Sequence, residues 1–391
     1  MSDLKVGIDA ISFYSSHYYI ALAELAVHRG VKPERFTTSI GQELMAVPPP
    51  GEDIVTLAAN AAEHALEGID RSEISTVILA TESAIDQSKA AGVFVHKLLD
   101  LPSTCRVFET KQACYAATGA IQLCIPRIHQ YPNEKILIIA SDIARYGLST
   151  PGEATQGGGA VAMLLTANPR LLAFDKESGL YTEDVMDFWR PNYRDEALVD
   201  GKASIRIYIK ALISSWTDYQ EKTGRSYSDF SRFCYHLPFT RMAETAHRKL
   251  LKAMAADVSD EEFSSKIDES LIYNSLTGNS YAASLYLGLA SLLDNCEDDL
   301  SNQRIALFSY GSGCMAEFMS AVVQPGYKTH LKKDTHKKVL ENREALSCEN
   351  YESFYNFESP KDGSNFDFPM HDTGNYRLAK LSDHKRIYEK I

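Results

Sequence analysis

The sequence predicts an α/β protein whose sheets are largely buried. Short apolar runs of strand length recur along the 391 residues, and longer runs with helical periodicity stand between them. No long Gly/Ser or Pro linker separates one part of the chain from another. Strands that alternate with helices are typical of α/β proteins in which both faces of the sheet are covered.

The elements follow one another in a regular order. The predicted strands are apolar runs rich in Val, Ile, Leu and Ala, at 5–11, 74–81, 135–141, 159–166 and 304–310. The predicted helices carry apolar residues three and four positions apart, at 53–67, 87–100, 114–130 and 280–294. After about residue 330 the chain becomes more polar, with a predicted loop at 358–365.

Composition limits the class of protein. The chain is 45% hydrophobic and 24% charged, which is ordinary for a globular protein. No apolar run approaches the roughly 20 residues that span a bilayer, and the N-terminus lacks the basic and apolar regions of a signal peptide. We therefore expect a cytoplasmic protein with no membrane partner. The net charge of −12 argues against nucleic acid as a partner, although a local basic patch could still hold a small anion.

The seven cysteines form no C-x-x-C pair and no cluster with metal-ligand spacing. Their number is odd and the expected compartment is reducing, so we interpret them as free thiols. The sequence therefore predicts no metal site.

A weak internal duplication appears when the order of features is compared instead of residue identity. In each half, a polar residue near a strand end is followed by a helix that opens on small residues. Glu82 and Cys114 hold these places in the first half, and His236 and Asn279 hold them in the second. This order predicts two similar halves that face one site.

Cys114 is the candidate nucleophile. A thiol at a helix start meets unpaired N–H groups and the positive end of the helix dipole, so we expect a lowered pKa and a thiolate. The small residues around it in "ACYAATGA" leave room for a substrate. Local sequence alone favours the alternative, a small buried cysteine that only fills space, as free cysteines usually do.

Glu82 and His236 have similar alternatives. A carboxylate at a strand end is well placed for chemistry in an α/β sheet, but it could also be a solvated loop residue. His236 interrupts the apolar run "CYHLPF" and could be a core histidine bonded to a carbonyl group. The glycine-rich stretches 156–160 and 310–314 fit neither a P-loop nor a dinucleotide fingerprint, and they favour close backbone approach to a substrate or a strand.

The chain resembles the 3-hydroxy-3-methylglutaryl-CoA synthase family, particularly its shorter bacterial form. The matching stretches run in family order along nearly the whole chain: "VGIDAISFY", "GQELMAVPPPGEDIVTLAANAA", "ILATESAIDQSKAAGVFVHKLL", "FETKQACYAATGAIQL", "SDIARYGL", "GEATQGGGAVAMLL", "YTEDVMDFWRP", "CYHLPFTRMA", "LFSYGSGCMAEF" and "GNYRLAKLSDHKRIYE". A series of this length is more specific than any single motif.

The resemblance implies a thiolase-like fold with two similar halves in a layered αβαβα arrangement, normally a homodimer. The halves would be residues 1–170, with Glu82 and Cys114, and 171–391, with His236, Asn279 and the polar tail. It also implies condensation of acetyl-CoA with acetoacetyl-CoA and water to 3-hydroxy-3-methylglutaryl-CoA and CoA, the committed step toward mevalonate and isoprenoids. The CoA thioesters are then substrates, and no cofactor is expected.

The resemblance also assigns three catalytic roles. Cys114 matches the nucleophile that takes the acetyl group as a thioester. Glu82 matches the general base that removes a proton from the acetyl methyl group, which requires a partly desolvated carboxylate. His236 matches the residue that hydrogen-bonds the acetoacetyl group and assists the developing alkoxide.

Other matched positions are implied to bind substrate. Asn279 matches an amide that holds the acetoacetyl thioester carbonyl, and the backbone around Ser312 matches a segment that can stabilise an oxyanion. Arg241 stands where related bacterial sequences often carry Lys and is implied to contact CoA phosphates, with altered hydrogen-bond geometry. The positions implied to lie around the acyl pocket are Tyr146, Asp187 and Phe188, with Asp142 supporting the fold of the site.

Three other readings remain open from sequence. Polyketide β-branching homologues perform the same condensation on acyl groups carried by an acidic carrier protein, whereas the charge of −12 favours free CoA. A ketoacyl-ACP synthase III or thiolase would fit the fold, but those enzymes do not use a strand-end residue such as Glu82 as the base. A non-catalytic acyl-CoA-binding scaffold is disfavoured because Cys114, Glu82 and His236 are all present.

Overall fold

The structure is a computed structural model, and it describes residues 4–391. It contains long central strands and several short peripheral ones. The strands are β1 (Val6–Ser15), β2 (Tyr18–Ala21), β3 (Leu44–Ala46), β4 (Ile74–Ala80), β5 (Arg106–Thr110), β6 (Lys135–Ala144), β7 (Gly157–Ala167), β8 (Leu172–Phe174), β9 (Gly179–Thr182), β10 (Phe188–Trp189), β11 (Leu198–Val199), β12 (Arg232–Tyr235), β13 (Arg304–Gly311), β14 (Met315–Val323), β15 (Glu344–Ala345), β16 (Phe366–Asp367), β17 (Tyr376–Ser382) and β18 (Lys385–Lys390).

The helices range from one turn to six turns in length. They are α1 (Leu22–His28), α2 (Glu34–Thr37), α3 (Ile54–Ala65), α4 (Gly92–Leu98), α5 (Ala116–Gln130), α6 (Gly201–Thr223), α7 (Met242–Ala253), α8 (Asp260–Ile267), α9 (Ile272–Thr277), α10 (Ser284–Asn295), α11 (Lys333–Glu341) and α12 (Cys348–Tyr355). Within residues 4–391, no helix combines the length and the apolar character needed to cross a bilayer.

Ten strands form one hydrogen-bonded sheet. Its order is β12-β13-β14-β8-β1-β7-β6-β4-β5, and β9 pairs with β14. Strand β4 runs parallel to both β5 and β6, and β12 runs parallel to β13. The other pairs in this sheet are antiparallel. The carboxyl ends of parallel neighbours lie at the same edge of the sheet. The loops that follow β4, β5 and β6 therefore lie close together, and so do the loops that follow β12 and β13.

Alternating side chains on β6 face two different layers, as the pleat of a strand requires. Ile136 and Ile138 pack into a central cluster with α5 and α10. Leu137 and Ile139 pack on the other face, against α3. The first part of the sheet is therefore covered by helices on both faces.

Strand β13 shows the same alternation in the second part of the sheet. Ile305 and Leu307 join the central cluster with α5 and α10, whereas Ala306 and Phe308 pack against α6 and α7. In order, the layers are α3, the part of the sheet that contains β6, α5 with α10, the part of the sheet that contains β13, and α6 with α7. The predicted αβαβα arrangement and thiolase-like fold class are confirmed. The boundary at residues 170 and 171 stays a prediction.

Two predicted helices begin later than the sequence pattern suggests. The 87–100 segment is helical only in α4, because the Asp86 side chain accepts hydrogen bonds from the N–H groups of Ser88 and Lys89 and holds a turn there. Helix α10 is preceded by a 3₁₀ turn at Tyr281–Ala283, and Tyr281 has a left-handed φ of 44°. The Asn279 side chain accepts the Tyr281 N–H at 2.8 Å and stabilises this turn.

The polar tail after residue 330 is folded onto the core. His336 on α11 lies 2.6 Å from Asp294 on α10 and 2.9 Å from the Ser12 hydroxyl on β1, and all three side chains are buried. The predicted loop at 358–365 is irregular, and it precedes the hairpin β17–β18. All seven cysteines are free thiols.

Candidate active site

The sheet order brings the candidate side chains together. Glu82 follows β4 and Cys114 follows β5, and these two strands are parallel neighbours. Asp142 lies on β6, the other parallel neighbour of β4. In the second half, His236 follows β12 and Ser312 follows β13, again a parallel pair. Each group therefore lies at the carboxyl ends of parallel strands, where α/β proteins commonly bind ligands.

Cys114 lies on a tight connection between β5 and α5. Ala113 has a left-handed φ of 44°, which turns the chain just before the cysteine. The end of β13 packs directly on this connection, since a Cβ at Gly311 would lie 2.5 Å from the Gln112 carbonyl oxygen. The thiol is only 8% exposed. The second half of the chain thus forms one wall around Cys114.

The Cys114 thiol is hydrogen-bonded to Glu82. Its Sγ donates to Oε1 of Glu82 at 3.0 Å. Burial raises the pKa of the Cys114 thiol well above its ordinary value, and the Glu82 carboxylate raises it further. Our expectation of a lowered pKa and a resting thiolate is therefore wrong. Helix α5 begins only at Ala116, so the helix dipole is a smaller influence than burial and the neighbouring carboxylate.

Glu82 is a buried carboxyl group with a raised pKa. Burial raises the pKa of this carboxyl to about 8, and the nearby Asp142 carboxylate acts in the same direction. The hydrogen bond from Cys114 and the charge of Arg190 oppose that shift. Arg190 also donates a hydrogen bond to the Glu82 carbonyl oxygen. The site thus has the desolvated carboxylate that the sequence predicts.

Asp142 holds the Glu82 loop in place. Its Oδ1 accepts from the Thr81 hydroxyl at 2.7 Å and from the N–H groups of Glu82 and Ser83 at 2.9 and 3.0 Å. Its Oδ2 accepts from the Ala282 N–H at 3.0 Å. Burial raises the pKa of Asp142 to about 6, against these hydrogen bonds. One buried carboxylate therefore connects the loop that carries Glu82 with the turn that follows Asn279.

His236 is a neutral, buried imidazole. Its backbone N–H donates to the Phe308 carbonyl at 2.8 Å, and its carbonyl oxygen accepts from the Tyr208 hydroxyl at 2.8 Å. Burial lowers the pKa of the ring to about 3. Within residues 4–391, its buried Nδ1 has no hydrogen-bond partner. If His236 were only a core histidine, a carbonyl group would accept a hydrogen bond from its ring, but the buried Nδ1 has no such bond.

Asn279 is fixed at both ends of its amide. Its Oδ1 accepts the Tyr281 N–H, and its Nδ2 donates to the Tyr146 hydroxyl at 3.3 Å. The rings of Tyr146, Phe188 and Tyr281 meet edge to face, with centroids 5.7 to 6.0 Å apart. These three rings form an aromatic wall beside Cys114.

Asp187 orients the glycine-rich segment after β13. Its Oδ2 accepts from the Tyr310 hydroxyl at 2.6 Å, and its Oδ1 accepts from the Gly313 N–H at 3.0 Å. Asp187 itself is 1% exposed and does not line the cavity. Its carboxylate therefore fixes the backbone that carries Ser312, whose own carbonyl accepts from the Gln112 amide at 3.4 Å.

A cavity of about 460 Å³ opens from these residues to the surface. Cys114, His236, Asn279 and Ser312 contribute to one part of its lining. The first turns of α6 and α7 also contribute, together with the aromatic wall. The remaining lining residues are Thr150, Pro151, Gly152, Thr155, Val199, Gly201, Lys202, Ser204, Ile205, Tyr208, Pro238, Phe239, Met242 and Tyr310.

Arg241 lies next to this cavity without lining it. Its guanidinium donates to the Thr38 carbonyl at 2.9 Å and to the Glu244 carboxylate at 2.7 Å. The side chain is 42% exposed, and the following residue, Met242, lines the cavity. The structure therefore does not bring Arg241 together with the other predicted residues, and its contact with CoA stays a prediction.

Three residues of the site were not predicted as such. Tyr281 completes the aromatic wall, Tyr310 bonds to Asp187, and Arg190 bonds to the Glu82 backbone. Each lies inside a stretch that the sequence already singles out: "NSYAAS", "YGSGC" and "DFWRP". Their roles depend on contacts between distant parts of the chain, which those motifs do not specify. Among residues 4–391, no group of three His, Cys, Asp or Glu side chains could hold a metal ion.

Family models match almost the whole chain. The model described as "Hydroxymethylglutaryl-coenzyme A synthase N terminal" matches residues 3–170. The model described as "Hydroxymethylglutaryl-coenzyme A synthase C terminal" matches residues 172–252 and 242–373.

Full-length relatives carry the same family name. The hydroxymethylglutaryl-CoA synthase of Enterococcus faecalis is 41% identical, and the match covers 98% of this chain and 100% of the relative. The polyketide biosynthesis 3-hydroxy-3-methylglutaryl-ACP synthase PksG of Bacillus subtilis (strain 168) is 34% identical, over 90% of this chain and 88% of the relative. The higher identity and fuller coverage of the Enterococcus faecalis relative favour the hypothesis of a CoA-bound acceptor over that of an acceptor bound to a carrier protein.

Solved structures of the family have the same fold. A crystal structure of an HMG-CoA synthase complexed with CoA matches with a TM-score of 0.94 at 39% identity, covering 99% of this chain and 100% of that chain. A structure of MvaS in complex with 3-hydroxy-3-methylglutaryl coenzyme A matches with a TM-score of 0.91 at 37% identity, covering 99% of each chain.

Proposed function

Since this chain belongs to the hydroxymethylglutaryl-CoA synthase family, we propose that it condenses acetyl-CoA with acetoacetyl-CoA and water, giving 3-hydroxy-3-methylglutaryl-CoA and CoA. One observation carries the mechanism. The Cys114 thiol lies 3.0 Å from the Glu82 carboxylate, and the cavity that Cys114 lines is also lined by His236 and Asn279.

In the first step, the Cys114 sulfur attacks the carbonyl carbon of acetyl-CoA. Glu82 is the hydrogen-bond acceptor of the thiol, so it takes the thiol proton as the new C–S bond forms. The bond from the acetyl carbon to the CoA sulfur breaks, Glu82 returns the proton to that sulfur, and CoA leaves as a thiol. N–H groups around Ser312 stabilise the tetrahedral oxyanion. The products are acetyl-Cys114 and CoA.

In the second step, Glu82 removes a proton from the methyl group of acetyl-Cys114. The resulting carbon nucleophile adds to the ketone carbon of acetoacetyl-CoA, and the ketone oxygen becomes an alkoxide. His236 is neutral and has an unpartnered ring nitrogen, so it can hydrogen-bond this oxygen. Asn279 binds the thioester carbonyl of the acceptor, and the proton on Glu82 passes to the alkoxide.

In the third step, water adds to the thioester carbonyl on Cys114. The C–S bond breaks, the thiol recovers a proton, and the new carboxylate leaves as part of 3-hydroxy-3-methylglutaryl-CoA. The sum of the three steps consumes one acetyl-CoA, one acetoacetyl-CoA and one water. Glu82 supplies the proton transfers of the first two steps, and the third step consumes only water, which supports our proposal that the CoA thioesters are substrates and that no further cofactor takes part.

We propose that Arg241 binds the CoA phosphates at the mouth of the cavity. Its exposure and its position beside Met242 support this role, and the guanidinium would exchange Glu244 for a phosphate. Replacement by Gln should then raise KM for both CoA thioesters with little change in kcat.

We further propose that the enzyme acts as a cytoplasmic homodimer and that its product feeds the mevalonate pathway toward isoprenoids. Membership of the family supports each of these points. Light scattering coupled to size-exclusion chromatography tests the assembly: a mass near twice 43.5 kDa is expected, and a mass near 43.5 kDa would contradict the dimer.

The decisive experiment follows thiol release when acetyl-CoA and acetoacetyl-CoA are mixed with the protein, alongside peptide mass spectrometry. We expect 3-hydroxy-3-methylglutaryl-CoA as the product and an acetyl group on Cys114 when acetyl-CoA is given alone. An adduct on any other cysteine would sink the nucleophile assignment. If the protein rapidly converts an acceptor bound to a carrier protein but does not convert acetoacetyl-CoA, the proposed acceptor substrate is wrong.

A further inference from the structure

A second cavity, of about 300 Å³, lies beside the N-terminus of α3. We call it the Glu52 cavity and define it by three polar residues in its lining, Glu52, Arg145 and Gln156. Apolar rings and a proline stretch form much of the remaining wall: Pro48, Pro49, Pro50, Tyr351, Phe354, Tyr355, Phe357 and Phe368. No step of the condensation uses this cavity.

Glu52 is a buried acid without a partner. Its side chain is 7% exposed, and within residues 4–391 neither carboxyl oxygen has a hydrogen-bond partner. The nearby Ser16 hydroxyl donates its hydrogen to the Val47 carbonyl at 2.9 Å, so toward Glu52 it offers only an oxygen that can accept. A buried carboxyl group in this state is costly, and such a group in a native fold calls for a specific explanation.

Arg145 is a cation without an acidic partner. Its guanidinium stacks on the Tyr355 ring at 4.0 Å from the centroid and donates to the Tyr355 carbonyl. Its Nε is buried and has no hydrogen-bond partner, and Arg145 takes part in none of the ion pairs found among residues 4–391. A guanidinium with a free N–H in an aromatic cavity is suited to a carboxylate.

The other charges around the cavity are already paired. Asp53 accepts from the Tyr388 hydroxyl at 2.6 Å and from Arg386 at 3.3 Å. Burial raises the pKa of Glu52 to about 8, so that at neutral pH this group is mostly an uncharged acid that can donate its O–H. The unpaired groups of the cavity are therefore one cation and one neutral donor, which complement a single negative charge.

We propose that the Glu52 cavity binds a small monocarboxylate with a short apolar chain, whose carboxylate is held by the Arg145 guanidinium and the Glu52 carboxyl group. The prolines and aromatic rings cover the apolar chain.

The Glu52 cavity is connected to the active site through Gln156. Its Oε1 accepts from the N–H groups of Tyr146 and Gly147 at 2.6 and 3.2 Å. Arg145 directly precedes Tyr146, which belongs to the aromatic wall beside Cys114. An occupant of the Glu52 cavity thus contacts the residues that position this wall.

The test is a titration of the full chain with sodium butyrate, followed by saturation-transfer NMR, with butyramide as the uncharged comparison. We expect saturable binding of butyrate in the millimolar range and at least tenfold weaker binding of butyramide. Arg145→Met should reduce butyrate binding at least tenfold. His236→Ala, which alters the active-site cavity, should leave butyrate binding unchanged.

The pH dependence distinguishes the role of Glu52 from a merely structural one. Butyrate itself stays ionised above about pH 6, so its affinity should follow the protonated fraction of Glu52 and fall about tenfold from pH 7 to pH 9. Glu52→Gln keeps a donor and should bind butyrate with no such fall. The titratable and charged groups near Glu52 or in the cavity wall are Tyr14, Asp53, Arg145, Tyr351, Tyr355, Asp372 and Arg386.

Each outcome decides the proposal. Butyrate binding that is lost in Arg145→Met and becomes independent of pH in Glu52→Gln supports it. Absence of butyrate binding, equal binding of butyramide, or binding that is lost only in His236→Ala overturns it. If Arg145→Met does not fold, the pH profiles of the wild type and Glu52→Gln decide alone, and identical profiles would overturn it.

Discussion

At the scale of single residues, the ionisation of Cys114 is coupled to that of Glu82. Burial raises the pKa of both groups, and each also affects the ionisation of the other. The resting site therefore holds a thiol and a nearby base, which together can form a thiolate when the substrate arrives. In the proposed mechanism, Glu82 is then needed most for the removal of a proton from carbon.

Replacement of Glu82 by Gln separates the two steps. The substitution removes the acceptor of the thiol proton, but it also removes the carboxylate that raises the pKa of the thiol, so acetylation of Cys114 should continue within about tenfold of the wild-type rate. Condensation should fall by about 10² to 10⁴, because the general base is absent. Rapid-quench mass spectrometry of acetyl-Cys114 and a thiol-release assay measure the two steps, and normal turnover would remove Glu82 from the base role.

The pH dependence of condensation follows from the raised pKa of Glu82. The carboxyl is protonated and inactive as a base below about pH 8 and ionised above it, so the rate should increase as pH rises through about 8. The measurement is kcat/KM for acetoacetyl-CoA with the enzyme already acetylated. A rate that is independent of pH from 6 to 9 would contradict this assignment.

At the scale of elements, parallel strand ends bring residues that are far apart in sequence into one site. Strands β6, β4 and β5 bring Asp142, Glu82 and Cys114 together, and β12 and β13 do the same for His236 and Ser312. The antiparallel contact between Gly157 on β7 and Gly278 then holds the Asn279 turn against the first half.

Replacement of Gly157 by Ala should disturb this contact. A Cβ there would lie 2.6 Å from the Thr277 carbonyl oxygen and 2.8 Å from the Asn279 N–H nitrogen, so the backbone must shift. We expect a loss of about 1 to 3 kcal/mol in the free energy of unfolding. KM for acetoacetyl-CoA should rise more than the acetylation rate falls.

The control for this substitution is Gly201→Ala, where a Cβ meets no atom within 4 Å. Urea denaturation measures stability, and Gly201→Ala should leave the midpoint unchanged or slightly higher because Ala is the better helix former. Equal effects of the two substitutions would contradict a role for the Gly157 contact.

The sequence predicts the strands and the main helices because buried apolar runs and helical periodicity are local signals. The contact between Cys114 and Glu82 is not local, and the family resemblance supplied it. The ionisation of Cys114 was mispredicted because the helix dipole is visible in sequence, whereas burial and the distance to a carboxylate depend on the tertiary structure. The late start of α10 was missed because the side-chain cap by Asn279 competes with helix formation.

At the scale of the whole molecule, helices cover both faces of each part of the sheet, and the central layer of α5 and α10 belongs to both. This arrangement buries polar groups together with apolar ones. Glu52 is the clearest case, because its raised pKa makes the stability of the whole fold depend on pH.

The folded pKa of Glu52 is about 8 and its ordinary value is 4.5, so between these values the folded state binds the extra proton. Stability from this group is therefore lost as pH rises, at roughly 1.4 kcal/mol per pH unit. Between pH 5 and pH 7, the free energy of unfolding of Glu52→Gln should therefore rise by about 3 kcal/mol relative to that of the wild type. Urea denaturation at both pH values measures this difference.

An exposed glutamate provides the comparison. Glu221 lies on the surface of α6, and Glu221→Gln should show the same pH dependence of unfolding as the wild type. If Glu52→Gln and Glu221→Gln behave alike, Glu52 does not carry a raised pKa.

The four hydrogen bonds to the Asp142 carboxylate restrict how the enzyme can move during turnover. They join the Glu82 loop in the first half to the Ala282 turn in the second. Rotation of one half away from the other would break the bond from Ala282 and leave Oδ2 of this buried carboxylate without a partner, which is costly. We therefore expect substrates to enter and leave past the first turns of α6 and α7. Changes in substrate length would then be accommodated at this entrance, while the spacing of the two reacting carbons stays constant.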